Sequence, residues 1–259
     1  MAYETLETVL AEGILTITFN RPSRMNALNQ VALDEIHQVV AEAEKSEEVK
    51  VVVVAGNEKF FCAGADITEV NKVNSSFSGY AFARKYQECF GLFEKLSKPV
   101  VAAVRGYALG GGCELLIACD FRIAAEDAKI GLSEVNIGAI PGGGGTVKLP
   151  RLINPLKAKE ILCFGKPVSG KEAAEIGLVN KSVPADQVMT EAYSLAKELA
   201  QKPPLVLKMI KEVTNLATKD MESLLQHEAQ GLGMLAASED FKEGTGAFLE
   251  KRKPVFRGK

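Results

Sequence analysis

Residues 100–118 read VVAAVRGYALGGGCELLIA. Val100 to Val104 is a β-branched run, apolar at successive positions, which fits a strand buried on both faces of a sheet. Gly106 and the triplet Gly110, Gly111 and Gly112 then form a glycine-rich turn, and Cys113 to Ala118 reads as the helix that follows. A strand, a glycine turn and a helix in this order leave unpaired backbone N–H groups at the helix start, where negative charge is attracted.

The same alternation runs outward from this stretch. Residues 3–10 and 14–20 alternate polar and apolar positions around Glu12-Gly13, with Leu15, Ile17 and Phe19 on one face. That period of two predicts a β-hairpin. The spacing of Val31, Ile36, Val39, Val40 and Ala43 predicts a helix over 31–44, and Lys50 to Gly56 is a second buried-strand run. A stripe of Tyr86, Cys89, Phe90, Phe93 and Leu96 predicts a helix over 77–96, stopped by Pro99. Phe121 to Ala124 is strand again. From about 146 the chain reads as helical to its end, in segments near 155–163, 170–176, 185–201, 203–217 and 219–240. The class is α/β, with strand–strand–helix units first and helices after. No Pro/Ser-rich linker separates the two parts.

Composition removes several function classes. Lys and Arg number 31 against 33 Asp and Glu, a formal net charge of −2, so a nucleic-acid partner, which draws on clustered positive charge, is not expected. Hydrophobic residues at 47% and charged residues at 25% suffice for a folded core. No run of roughly 18 uncharged apolar residues exists, so no membrane span is expected. The opening MAYETLETVL carries acids where a secretory signal needs a basic and then an apolar run. Cys62, Cys89, Cys113, Cys119 and Cys163 form no CxxC pair and are odd in number. They read as reduced thiols of a cytoplasmic protein.

Two motifs are decoys. Gly165 to Lys171 fits GxxxxGK, but Glu172 stands where a phosphate loop needs Ser or Thr for magnesium. Ser169 and Glu172 instead read as a helix capping box. Gly231-x-Gly233-x-x-Ala236 resembles a dinucleotide fingerprint but lacks a preceding strand, so it reads as helix packing. His37 and His227 are the two histidines, too few for a three-histidine zinc site, and no GxSxG elbow is present. No metal is expected.

Three segments suggest chemistry. Lys59 to Ile67, KFFCAGADI, places the small residues Ala63 to Ala65 where a ligand could approach backbone closely. Gly106 to Glu114 supplies helix-terminal donors and a carboxylate. Gly131 to Thr146, GLSEVNIGAIPGGGGT, sets Glu134 among apolar residues before a mobile glycine run. Two donor loops and two carboxylates flanked by apolar residues suit proton transfer, because burial raises a carboxyl pKa.

With Asn20 to Leu28, NRPSRMNAL, and the C-terminal EKRKP, these segments resemble the crotonase family, the enoyl-CoA hydratase/isomerase superfamily, across nearly the whole chain. GYALGGGCEL followed by SEVNIGAIPGGGGT carries most of the likeness. The resemblance implies a crotonase-like spiral of repeated ββα units over residues 1–195, holding the active site, and a C-terminal helical trimerisation region over 196–259. It implies a homotrimer or dimer of trimers, an acyl-CoA thioester substrate and no metal or redox cofactor. The N–H groups of Ala65 and Gly111 would form the oxyanion hole. Ala63, Asp66 and Ile67 would lie along the adenine end of the ligand, Arg24 and Ala27 would line the same channel, and Gly110, Pro141 and Gly142 would complete the binding site. Phe248 and Lys251 match positions that in relatives reach a neighbour's coenzyme A.

Members that hydrate carry two glutamates, and here Glu114 and Glu134 are both present. The implied reaction is reversible syn addition of water to a 2-trans-enoyl-CoA, as in fatty-acid β-oxidation or short-chain acyl-CoA metabolism. Glu114 would deprotonate water and Glu134 would protonate C2. Ser133 departs from the family pattern, where Pro often precedes the second glutamate. A Δ3-Δ2 enoyl-CoA isomerase and a non-catalytic acyl-CoA binder are the alternatives. The acyl pocket floor is expected from Ile67 to Ala81 and the 77–96 helix.

Overall fold

The computed structural model describes residues 3–202, 204–216, 229, 232–233 and 236–255. Two sheets carry the N-terminal part. The larger takes strands β1 (Leu6–Ala11), β2 (Ile14–Phe19), β3 (Val51–Ala55), β5 (Val100–Val104), β7 (Phe121–Ala125) and β10 (Lys181–Val183), adjacent in that order. The smaller takes β4 (Phe60–Cys62), β6 (Tyr107–Leu109), β8 (Lys129–Gly131) and β9 (Val168–Ser169). Apart from the β1–β2 hairpin, the strands of the larger sheet are parallel.

Connectivity makes the spiral. β3, β5 and β7 each feed the larger sheet, and the next strand, β4, β6 or β8, feeds the smaller one. Helices follow: α2 (Ile67–Val70) and α3 (Ser76–Lys95) after β4, α4 (Gly111–Ala118) after β6, and a 3₁₀ turn at Glu134–Ile137 after β8. Parallel pairing needs such a crossover, since a tight turn can join only antiparallel strands. The register sets Val52 beside Val100 and Val101 beside Phe121, so β-branched and aromatic side chains meet across the sheet.

Local sequence explains the helix limits. Asn29 caps α1 (Gln30–Lys45) by accepting the Ala32 N–H at 3.0 Å, and Ser75 and Ser78 cap α3 reciprocally. Phe90 and Phe93 of α3 and Leu33 and Ile36 of α1 are fully buried in the main core.

The later chain is α5 (Gly145–Leu152), α6 (Pro155–Phe164), α7 (Gly170–Glu175), α8 (Val188–Ala200), α9 (Pro204–Leu216) and α10 (Glu239–Leu249). It is not wholly helical as expected, because β9 and β10 return to the sheets. Ser169 caps α7 through the Glu172 N–H at 3.1 Å, but the Glu172 carboxylate pairs with Lys157 at 2.8 Å. One half of the expected capping box therefore forms. Gly233 and Ala236 pack on Gly79 of α3, where a β-carbon would stand 2.7 Å from the Gly233 Cα. Within the expected 219–240 helix, residues 219–228, 230–231 and 234–235, His227 and Gly231 among them, lie outside the described residues. A second, smaller apolar cluster joins Val70, Val73 and Ala83 to Ala139, Leu232 and Phe241.

Among the described residues, no helix is long and apolar enough to cross a membrane. No group of three or more His, Cys, Asp and Glu side chains is gathered there as metal ligands.

Candidate active site

Two backbone segments meet where β4 ends and α4 begins. Buried Asn26 fastens the first, donating from Nδ2 to the Phe60 carbonyl at 2.8 Å and accepting the Arg21 N–H at 2.9 Å. Leu28 grips the loop on both sides of Ala65. Its N–H donates to the Gly64 carbonyl, and its carbonyl accepts the Asp66 N–H, each at 2.8 Å. The Ala65 N–H is thereby left without an acceptor among the described residues.

The second segment is the turn into α4. Gly110 has φ +52°, in the region that favours glycine, and Gly111 is the first helical residue. Its N–H has no intrahelical acceptor. A β-carbon on Gly111 would lie 3.4 Å from the Ala65 nitrogen, and one on Gly64 would lie 3.1 Å from the Gly111 nitrogen. Two unused N–H groups therefore sit side by side. Gly112 permits the approach, since a β-carbon there would stand 2.0 Å from the Cys62 carbonyl oxygen.

Glu114 follows one helical turn later and is 4% exposed. Its Oε1 accepts the Gly143 and Gly145 N–H groups, each at 2.8 Å. The glycine run expected to be mobile is thus tied to a buried carboxylate. Burial pushes the Glu114 carboxyl up to about 7, although the amides of Gly145, Gly143 and Gly144 and the Lys148 charge pull the other way. Such a group changes charge near neutrality.

Glu134 opens the 3₁₀ turn and is half-buried. Its Oε1 would lie 3.0 Å from a β-carbon on Gly110, so it rests against the turn that delivers the Gly111 N–H. Ser133 before it has φ −106°, outside the range of about −65 ± 15° that a proline ring allows. The departure from Pro therefore goes with a different backbone, and Ser133 lines the site.

The two donor loops and both glutamates face one cavity of about 400 Å³. Ala63, Ala65, Ile67, Gly110, Gly111, Glu114, Glu134, Gly142 and Phe248 line it, and Val70, Val73, Phe82, Ala83 and Tyr86 form an apolar wall with Leu232 and Phe241. The expected floor from Ile67 and α3 is present, with Leu232 and Phe241 as additions. Cys62 and Cys113 are buried next to the site, and burial pushes both thiols far up, Cys62 to about 12, so neither is poised as a nucleophile.

Arg24, Ala27, Asp66, Pro141 and Lys251, expected along the ligand, are not among the residues that line the cavity. Arg24 is exposed on the short turn Pro22–Arg24, and the Ala27 carbonyl accepts from Arg21. Asp66 caps α2 through the Thr68 N–H at 3.1 Å and pairs with Arg21 at 3.2 Å. Burial pushes its carboxyl up, but the Thr68 and Arg21 bonds outweigh this and hold it below its ordinary value. The Pro141 carbonyl accepts the Thr146 hydroxyl at 3.1 Å. Phe248 lines the cavity of its own chain, because α10 packs on the 3₁₀ turn and α2. Lys251 lies just beyond α10 and outside the lining.

Arg21, Asn26 and Lys148 carry no sequence signal that singles them out. Arg21 and Asn26 fall within the quoted NRPSRMNAL segment. Nothing in Lys148 or its neighbours announces a long-range partner.

A family model described as enoyl-CoA hydratase/isomerase matches residues 10–259. The chain is 41% identical to a crotonyl-CoA hydratase of Syntrophomonas wolfei, with 100% of both chains covered. It is 39% identical to a short-chain-enoyl-CoA hydratase of Clostridium acetobutylicum, covering 93% of this chain and 92% of that one. A crystal structure of an enoyl-CoA hydratase/isomerase from Xanthobacter autotrophicus superposes with a TM-score of 0.90 at 33% identity, covering 96% and 94% of the two chains.

Proposed function

Because the chain belongs to the enoyl-CoA hydratase/isomerase family, we propose that it is an enoyl-CoA hydratase. It adds water reversibly to a 2-trans-enoyl-CoA and yields the 3-hydroxyacyl-CoA. One observation carries this reading: Glu114 and Glu134 line the same apolar cavity as the paired Ala65 and Gly111 N–H groups.

The thioester carbonyl accepts from the two amides. As water adds at C3, negative charge moves onto that oxygen, where fixed donors stabilise it without reorganising. Glu114 holds and deprotonates the water, and its carboxyl, pushed up to about 7, is basic enough for that task near neutral pH. Glu134 delivers a proton to C2. Delivery of both from one wall gives syn addition. Addition to a C=C bond needs no covalent intermediate, which agrees with the buried, unactivated Cys62 and Cys113 thiols beside the site. Gly110 and Gly142 flank the ester, with Arg24, Ala27, Ala63, Asp66, Ile67, Pro141 and Lys251 toward the coenzyme A end. Val70, Val73 and Phe82 receive the acyl chain. The short-chain relatives support a short acyl group.

Purified protein is expected to bleach the conjugated thioester absorbance of crotonyl-CoA with no cofactor added. Unchanged absorbance at micromolar enzyme would end the proposal. Conversion of a 3-enoyl ester without a 3-hydroxy product would identify an isomerase.

We also propose that the protein is cytoplasmic, supported by free cysteines throughout the described residues, and that the 196–259 region builds a homotrimer or a dimer of trimers. Supporting the assembly, Val206, Met209 and Ile210 share a face of α9 and are each more than half exposed. Sedimentation equilibrium is expected to report three or six chains, and Met209→Glu to reduce that number. A monomeric parent protein would refute the assembly.

A further inference from the structure

Lys148 lies on α5, the helix whose first amides hold Glu114, and is 7% exposed. Its side chain folds back along the helix start, so that a β-carbon on Gly144 would meet its Cε at 3.0 Å and its Nζ at 3.2 Å. Its ammonium donates to Glu94 Oε1 at 2.6 Å, and the Glu94 side chain is about one-third exposed at the end of α3. Neither residue lines the ligand cavity. Both line a separate cavity of about 380 Å³. The pair is therefore reached by solvent without passing the ester.

Resting on the hydratase reading above, we infer that Lys148 is a positioning residue, and that the Lys148–Glu94 pair sets the charge state in which Glu114 meets water. A buried carboxylate is costly unless charge or hydrogen bonds compensate it. Backbone amides supply part of that compensation, and Lys148 supplies a full charge. Glu94 partly cancels that charge, because its carboxylate pairs with the ammonium at 2.6 Å.

Other ionisable groups surround Glu114. Glu134 and Tyr86 line the same cavity, and Cys113 adjoins Glu114 on α4. Cys62 of β4 and Cys89 of α3 are buried thiols held neutral by burial. Arg84 of α3 acts through Gln87, which donates to the Gly142 carbonyl at 2.9 Å, and Arg122 of β7 acts on Cys113. The Lys148–Glu94 pair differs from all of these in offering two charges of opposite sign, both outside the ligand's reach.

The test is the acidic limb of the kcat/KM profile against pH, which reports the free enzyme. Lys148→Met removes a cation that favours the carboxylate, so the limb should move to higher pH by about one unit. Glu94→Gln strips the counter-charge and should move it to lower pH. Lys148→Arg should restore the parental limb. Loss of packing alone cannot drive two variants in opposite directions. Limbs that stay in place, or that move the same way in both variants, overturn the inference. Should Lys148→Met fail to fold, Glu94→Gln decides alone, by a downward shift or none. A parental protein with no hydratase turnover would instead defeat the underlying reading.

Discussion

Glu114→Gln is expected to lower kcat by about 10²–10⁴, and Glu134→Gln by a comparable factor, the usual contribution of a placed proton donor or acceptor. The substitution is nearly isosteric. A Gln side-chain carbonyl can still accept from the Gly143 and Gly145 amides, which meet Glu114 Oε1 at 2.8 Å. The loop between Pro141 and α5 should therefore stay in place, and the loss should fall on turnover rather than on ester binding. Calorimetric titration with a saturated acyl-CoA separates the two. In the proposed mechanism the two carboxylates work as a unit, so the double variant should be little slower than the worse single variant. Full turnover in either single variant would remove that residue from the chemistry.

Gly112→Ala should cost about 10²–10³ in kcat without touching the ester, the price of one lost oxyanion donor. The new β-carbon would stand 2.0 Å from the Cys62 carbonyl oxygen and 2.8 Å from its carbonyl carbon. Both obstacles are backbone, so no flexible side chain can yield. Either α4 retreats from β4 or the Cys62 peptide turns, and each movement separates the Gly111 amide from the Ala65 amide. Circular dichroism would establish that the variant folds, and the kcat for crotonyl-CoA would report the geometry. A folded Gly112→Ala protein with parental turnover would show that the two amides do not depend on this contact.

The spiral was legible because two of its central strands declare themselves. Val51–Ala55 and Val100–Val104 are buried on both faces and bounded by turn residues. Helices with a clear stripe also fell close to expectation: Gln30–Lys45 for 31–44 and Ser76–Lys95 for 77–96. The smaller sheet was not legible. Phe60–Cys62, Tyr107–Leu109 and Lys129–Gly131 have three residues each, too few for a period of two to register. Tyr107–Leu109 was read as part of a glycine turn for that reason, and Gly111 rather than Cys113 begins the helix. At the site, local chemistry pointed to both glutamates and both donor loops. What it could not supply was distance. The grip of Gly143 and Gly145 on Glu114 spans about thirty residues of chain, and the salt bridge from Lys148 to Glu94 spans more than fifty. Such links follow from how the spiral stacks.

The ligand cavity runs along a seam. One bank is the main core through Tyr86, and the other is the smaller apolar cluster with Leu232 and Phe241. An acyl chain lodged there would act as mortar between two bodies of different cohesion. Small clusters open more readily than large cores, so the bank with fewer packed side chains would be the first to part. Grip and release then compete in one place: whatever cements the seam for a longer tail also slows its parting.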